Sequence, residues 1–254
     1  MFSIMRRRPV FIYHNHLDAT IWNRDATMRV VVKNALNTMV GSYISYMRRA
    51  GLPITQDMIS DILIHGSVAD YYWDSTSDID ICIIIDCAPL REKFADVDLY
   101  TLMKSLLLSW YRNYRIRIVG HGVDVEVADL NAPAYGENLW KTGSRYSLMH
   151  GAWIVRPNLL PSDAVRDIRR AALEKYRKIE REYKNICRNK MSAGFVDAFL
   201  ARLWTERRAA FEENPNTCVF PDTMAFRMVR RTGILRDLSE RAARNRSKNF
   251  NVKY

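Results

Sequence analysis

Hydrophobic residues recur at helical spacing in the N-terminal part of the chain. One face of a helix would carry Met28, Val32, Leu36, Met39, Tyr43 and Met47. This pattern predicts a helix that is capped by Asp25 and ends at Gly51 and Pro53. The same spacing predicts a second helix, which Asp96 opens. Its apolar positions are Leu99, Leu102, Met103, Leu106 and Trp110.

Short apolar runs between these helices predict β-strands. The first strand is expected at Asp61–His65, before a Gly-Ser pair and residues suited to a helix start. The second, Ile79–Ile85, consists almost wholly of Ile and Cys, as is typical of a buried strand. Residues Tyr146–Val155 favour further strand before Pro157.

A hairpin is predicted between residues 115 and 127. Its arms, Arg115–Val119 and Val123–Val127, flank a Gly-His-Gly turn whose His121 we expect to be exposed to solvent. Valines alternate with acids in the second arm, so Asp124 and Glu126 share the face opposite the valines.

The rest of the chain predicts helices. Apolar residues keep a spacing of three or four from Ser162 to Lys190, and further helices are expected at Val196–Phe211 and between Asp222 and Gly233. Residues Arg241–Tyr254 favour a basic, fraying tail. The pattern therefore predicts an α+β fold with a small mixed β-sheet flanked by helices, followed by an α-helical C-terminal region. We place the domain boundary between residues 158 and 159.

The charge of the chain separates these two regions. Residues 1–150 carry 16 Lys and Arg against 16 Asp and Glu, whereas residues 151–254 carry 23 against 12, the entire net charge of +11. This asymmetry indicates that the helical domain, residues 159–254, faces an anionic partner, although a solvated helical face would also carry such charge.

Composition excludes several classes of protein. The 254 residues contain no apolar run near the roughly 18 residues of a membrane span, and no signal-peptide core follows the N-terminal arginines. The cysteines form no CxxC pair and have no histidine at zinc spacing, so a disulfide framework or structural zinc site is not indicated. They are Cys82, Cys87, Cys187 and Cys218. We expect a protein of the cytoplasm without membrane contact.

The residues that most clearly indicate binding or catalysis lie at the end of the first strand and the start of the second. Gly66 and Ser67 end the first strand, where glycine allows an anion to approach the backbone and the hydroxyl and helix N–H groups can hold phosphate oxygens. After ten intervening residues, Asp78 and Asp80 open the next strand with their carboxylates on one side. Such oxygen ligands suit Mg²⁺, and Asp124 on a neighbouring strand would complete a two-metal site.

Other interpretations of these residues exist. A Gly-Ser pair is common in helix caps, and the run of acids from Asp74 imitates a calcium loop but has Ile79 where that loop needs glycine. Glu126 is an alternative third metal ligand. In the loop before Tyr146, residues that could bind triphosphate or base are Lys141, Ser144 and Arg145.

Gly66-Ser67, the Asp78-Ile79-Asp80 strand start and the apolar strand around Asp124 resemble the signature of the DNA polymerase β-like nucleotidyltransferase superfamily. The chain is most similar to the nucleotidyltransferases inferred in bacteriophage genomes, over most of its length. The looser matches are the His16-Leu17-Asp18 opening, Ala69, Tyr71, Trp73, Asp129, Tyr146-Ser147-Leu148 and Trp153-Ile154-Val155. Two residues depart from the pattern of this family: Asp124 stands where Glu is common, and His65 precedes the glycine.

The resemblance implies transfer of a nucleoside monophosphate from an NTP to a hydroxyl acceptor, with release of pyrophosphate. In that reaction Asp78, Asp80 and Asp124 would be catalytic and would bind two Mg²⁺ ions, which Mn²⁺ could replace. Gly66 and Ser67 would bind the nucleotide. The basic half favours RNA or another polyanion as acceptor, in the host cytoplasm if a phage encodes the chain. The alternatives are a non-catalytic nucleotide- or nucleic-acid-binding module and an interaction protein that acts through its basic helices. The donor NTP, the acceptor and the oligomeric state stay open.

Overall fold

A computed structural model describes residues 8–131, 143–213 and 219–248. The chain divides into two compact units. The sheet unit comprises residues 12–159, and the helical unit comprises the described residues from 160 onward together with residues 8–11. Residues 8–11 thus group with the C-terminal helices.

The sheet unit is built on a six-stranded mixed sheet with the strand order β3-β4-β2-β1-β5-β6. The strands are β1 (Ile59–His65), β2 (Ile79–Ile85), β3 (Arg117–Ile118), β4 (His121–Asp129), β5 (Arg145–Ser147) and β6 (Ala152–Val155). Only the pair of β2 and β4 is parallel; the other neighbours are antiparallel. The predicted α+β fold is confirmed.

One face of this sheet holds the main core of the unit. Alternate residues of β2 and β4 point into it, because successive side chains of a strand face opposite sides. They are Ile79, Ile81, Ile83, Ile85, Val123, Val125 and Val127. The helices α1 (Val30–Arg49) and α3 (Leu99–Asn113) contribute their apolar faces to the same core, and a short helix α2 (Ala88–Arg91) follows β2.

The first helix begins later than predicted. Asp25 does not cap it; its carboxylate accepts hydrogen bonds from the backbone and hydroxyl of Thr27 in the preceding turn, at 3.0 and 2.7 Å. Met28 lies in an isolated bridge with Trp22 rather than on the helix. The α3 helix begins similarly late, with Asp98 rather than Asp96 as its cap. Both differences arise because Asp also favours turns, which compete with helix capping.

The opposite face of the sheet carries the polar chemistry. Leu63, Cys82, Ile84 and Ala128 form a smaller buried cluster there. Beyond this cluster, at the end where β2 and β4 both begin, the same face presents Asp80 and Asp124. The alternation of apolar and acidic residues in β4 therefore produces one packed face and one face with a charged end.

The helical unit contains four helices within its described residues. They are α4 (Ser162–Arg188), α5 (Ala193–Glu213), α6 (Pro221–Arg231) and α7 (Ile234–Lys248). Helix α4 packs against α6, and α5 packs against α6 and α7. The prediction of a fraying tail from Arg241 is wrong as far as Lys248, because Leu238 and Ala242 bury one side of α7. In the described part of the chain, no helix is long and apolar enough to cross a membrane.

Candidate active site

Strand pairing places four polar residues in a row across one end of the sheet. Asp124 of β4 is the parallel partner of Asp80 of β2, and Asp80 is the antiparallel partner of His65 of β1. Arg145 of β5 comes next, since its neighbour Tyr146 pairs with Ile64. Adjacent strands lie about 4.8 Å apart, so the row runs from two carboxylates to a guanidinium over three strand spacings.

Two glycines make room for the carboxylates of Asp78 and Asp80. A Cβ atom added to Gly66 would lie 1.9 Å from Oδ2 of Asp80, and one added to Gly122 would lie 2.6 Å from Oδ1 of Asp78. Gly66 also has φ at +75°, a conformation that side chains disfavour. The predicted residues Gly66, Asp78 and Asp80 are therefore brought together. No local sequence pattern marks Gly122 for this role.

Tyr111 of α3 lies near the strands that carry the three acids. Its hydroxyl donates a hydrogen bond to the carbonyl oxygen of Val123 at 3.1 Å. Burial raises the pKa of Tyr111, and the negative charges of Asp124, Asp80 and Asp78 raise it further. The Tyr111 hydroxyl therefore lies within electrostatic range of all three carboxylates. Sequence reasoning missed Tyr111, which the helical pattern marks only as a neighbour of the core residue Trp110.

The three acids differ in their surroundings. Asp78 and Asp80 are half-buried, while Asp124 is exposed to solvent. Glu126 lies two residues farther along β4, beside Cys82 of the apolar cluster, and burial raises the pKa of its carboxyl. The negative charge of Asp124 raises this pKa further, and Lys104 lowers it. Because Glu126 lies beside the apolar cluster and Asp124 lies at the end of the sheet with Asp80, Asp124 is the better candidate for the third metal ligand.

The donor set suits a hard cation, although the side chains do not form a closed metal shell. Among the described residues, no group of three or more His, Cys, Asp or Glu side chains is arranged to hold one metal ion. Carboxylates without a cation repel one another, and Mg²⁺ typically takes only one or two protein carboxylates together with substrate phosphates. Asp78 and Asp80 at the start of one strand supply that number of carboxylates, so the fit to a hard cation is one of residue type.

The loop after Gly66 differs from the prediction. A single 3₁₀ turn, Ser67–Ala69, follows β1 in place of the expected helix start, so a helix N-terminus is absent from this described segment. Ser67 is buried, and its hydroxyl donates to the hydroxyl of Ser77 at 3.0 Å. The Ser77 hydroxyl in turn accepts a hydrogen bond from the backbone N–H of Asp74 at 2.9 Å. Ser67 therefore ties the glycine turn to the loop that carries Asp78.

His121 is buried, so the prediction that it faces solvent is wrong. Its Nδ1 lies 2.7 Å from the carbonyl oxygen of Ser77, and its Nε2 lies 3.1 Å from Oδ2 of Asp18. Both partners are hydrogen-bond acceptors, and the Thr20 hydroxyl also lies 3.3 Å from Nε2. These contacts connect His121 to the buried Asp18 and hold Ser77, the residue before Asp78, in place.

The aromatic residues after Gly66 pack against the N-terminal segment. The ring of Trp73 stacks on that of His14 with centroids 4.0 Å apart, and its Nε1 donates to the carbonyl of His16 at 3.0 Å. The carbonyl of Tyr71 accepts a hydrogen bond from the backbone of His14 at 2.6 Å. These contacts account for Tyr71 and Trp73 by packing. Lys141 lies outside the described residues.

Two buried titratable groups flank the glycine turn. Burial and the positive charge of Arg145 lower the pKa of His65 to about 4. Burial raises the pKa of Asp70 to about 6, against the effect of hydrogen bonds from the Tyr71 backbone and the Ser144 hydroxyl. Although they are buried, Nε2 of His65 and Nε of Arg145 have no hydrogen-bond partner among the residues that the structure describes. The row therefore ends in unsatisfied polar atoms.

These two groups predict opposing effects of pH on stability. His65 has a depressed pKa, so its contribution to the free energy of unfolding is lost as pH falls from about 6.5 to 4. Asp70 has a raised pKa, so its contribution is lost as pH rises from about 4 to 6. His65→Gln removes the first of these contributions and keeps the second. As pH rises from 4 to 6, the free energy of unfolding of this variant should therefore fall by about 2 kcal/mol more than that of the wild type.

Urea denaturation at each pH measures this difference. The Asp70→Asn variant is the matched control, because it should deviate from the wild type in the opposite direction over the same range. Variants that both follow the wild-type profile would contradict the assignment.

Comparison of the chain with protein-family models, with curated proteins and with solved structures finds no match.

Proposed function

We propose that this protein is a metal-dependent nucleotidyltransferase that moves a nucleoside monophosphate from an NTP to a hydroxyl group. The observation that supports this most strongly is the parallel register of β2 and β4, which sets Asp124 beside Asp80. Asp78 and Gly66, which has no side chain, lie at the same end of the sheet. Carboxylates that share one end of the sheet suit a triphosphate and its cations.

Asp78, Asp80 and Asp124 would hold Mg²⁺ or Mn²⁺. The bound cations would neutralise charge on the triphosphate and lower the pKa of the acceptor hydroxyl. Asp124, which is exposed, accepts the hydroxyl proton. The hydroxyl oxygen forms a bond to the α-phosphorus as the bond from that phosphorus to the bridging oxygen breaks, and pyrophosphate leaves. Arg145, the cation of this row, would bind a phosphate group of the triphosphate.

Label position in the donor nucleotide tests the reaction directly. The protein is incubated with Mg²⁺, RNA and each NTP, labelled in separate reactions at the α- or the γ-phosphate. Nucleotidyl transfer places α-label on the acceptor and leaves γ-label in pyrophosphate. Transfer of γ-label would instead indicate a kinase, and nucleotide or RNA binding without transfer would support a binding module. The Asp78→Ala/Asp80→Ala variant is the negative control.

Asp124→Asn should lower the single-turnover rate by about 100-fold or more, because an amide neither accepts the hydroxyl proton nor offers a charged ligand. Glu126→Gln removes the same charge two residues farther along the strand, beside Cys82. We expect it to keep the rate within about threefold of the wild type, since its carboxylate lies roughly 6.6 Å along the strand from Asp124. The reverse order of effects would assign the role to Glu126.

A further inference from the structure

The exposed face of α4 carries a line of positive charge. Counting from Arg166, cationic side chains recur at positions +4, +11, +15, +18 and +22, and each of them is exposed. We call these six residues the α4 cationic row: Arg166, Arg170, Arg177, Arg181, Lys184 and Arg188. At 3.6 residues per turn they fall within an arc of about 60°, and the row extends about 33 Å along the helix axis.

Most of this charge is uncompensated. Arg170 pairs with Asp167 at 2.9 Å, and Lys184 pairs with Glu180 at 3.1 Å. The other four members form no ion pair with any residue that the structure describes. Glu174 and Glu180 flank the middle of the row but leave it with a net positive charge. Exposed pairs of this kind contribute little energy, so even the two paired members remain available to a stronger partner.

The apolar side of the same helix is occupied. Ala172, Tyr176, Tyr183 and Ile186 are buried on the side away from the row, and α4 packs against α6. A helix that binds a lipid surface needs an exposed apolar face as well as cations, and α4 does not offer one. A long row of cations without such a face is complementary to a polymer with regularly spaced negative charge.

We propose that the α4 cationic row binds the phosphate backbone of double-stranded RNA. A duplex carries one negative charge per about 1.7 Å of its axis, so a row about 33 Å long can contact several phosphates at once. The choice of RNA over DNA rests on the proposed function, because RNA supplies 2′-hydroxyl groups in addition to its terminal hydroxyls. Binding at the α4 cationic row would retain an RNA acceptor on the chain.

Binding is tested on the full chain with a 30-base-pair RNA duplex at several salt concentrations. In Arg177→Gln/Arg181→Gln we expect affinity to fall by about tenfold or more and the slope of log K against log salt to shrink by about 2. Gln has a helix propensity close to that of Arg, so the helix should be retained. The matched control, Arg208→Gln/Arg244→Gln, removes the same charge from exposed positions on α5 and α7 and should bind as the wild type does.

Three results would overturn this proposal. Equal losses in the two double variants would reduce the effect to net charge. Tighter binding to a DNA duplex of the same sequence, or binding to anionic phospholipid vesicles without binding to RNA, would replace RNA with another partner. Failure of the proposed function would give a different result. RNA binding that depends on the α4 cationic row would persist, while no labelled nucleotide is transferred.

Discussion

Replacing Asp80 with asparagine is expected to lower nucleotide transfer by at least about 10³-fold, equivalent to about 4 kcal/mol of barrier, without unfolding the protein. Asp80 lies between Asp124 on the neighbouring strand and the turn at Gly66, so its charge serves both the cations and the substrate. Asparagine keeps the shape of the side chain but removes the charge. Initial rates at saturating NTP and varied Mg²⁺ measure the loss.

Stability distinguishes a functional role for Asp80 from a structural one. Without bound metal, Asp80 shares its surroundings with the negative charges of Asp78 and Asp124, so removing one charge should leave the free energy of unfolding unchanged or raise it. Asp86→Asn is the matched control, because Asp86 follows the opposite end of β2 and accepts hydrogen bonds from Ala88 and Asn131. If Asp80→Asn kept more than a tenth of the activity, the proposed site would be wrong.

Replacing Gly66 with alanine is expected to lower activity by about 100-fold or more and stability by about 1–3 kcal/mol. The new Cβ would lie 1.9 Å from Oδ2 and 2.8 Å from Cγ of Asp80, so the Asp80 side chain must move. The φ of +75° adds backbone strain in any residue other than glycine. Transfer rates and urea denaturation give the two quantities.

Gly51→Ala separates these two causes. Gly51 has φ at +93°, but a Cβ added there would meet nothing within 4 Å. It should therefore lose a comparable amount of stability through backbone strain and keep its activity. Binding of Mn²⁺, followed by electron paramagnetic resonance, gives a readout independent of turnover and should weaken in Gly66→Ala alone. Equal activity in the two variants would show that the position of Asp80 does not depend on Gly66.

Local patterns were sufficient to predict the main elements and the face of β4 that carries Asp124. The β2 strand spans Ile79–Ile85 as predicted, because a run of Ile and Cys can be buried most readily in an extended strand. The strands around Tyr146 and Ala152 and the long helix from Ser162 were likewise predicted within a few residues. The alternation in β4 correctly placed Asp124 opposite the valines.

Long-range pairing decided what local patterns could not. Residues 80 and 124 become partners through the register of two strands that 35 residues separate, and no local signal specifies that register. The same pairing brings Gly122 against Asp78 and Tyr111 of α3 near all three acids. Local rules missed these two residues because their roles come from neighbours that are distant in the sequence.

Two errors at the site have the same physical origin. A Gly-Ser pair after a strand commonly precedes a helix, but here Ser67 bonds to Ser77 and the turn stops at Ala69. A histidine between two glycines is usually exposed, but His121 lies between Asp18 and the carbonyl of Ser77, which together offset the cost of burying its polar ring nitrogens. The sequence alone determined which residues could carry charge and which could be buried. The tertiary structure decided which of them meet, because a polar group is stable inside a protein only where a distant segment supplies its partner.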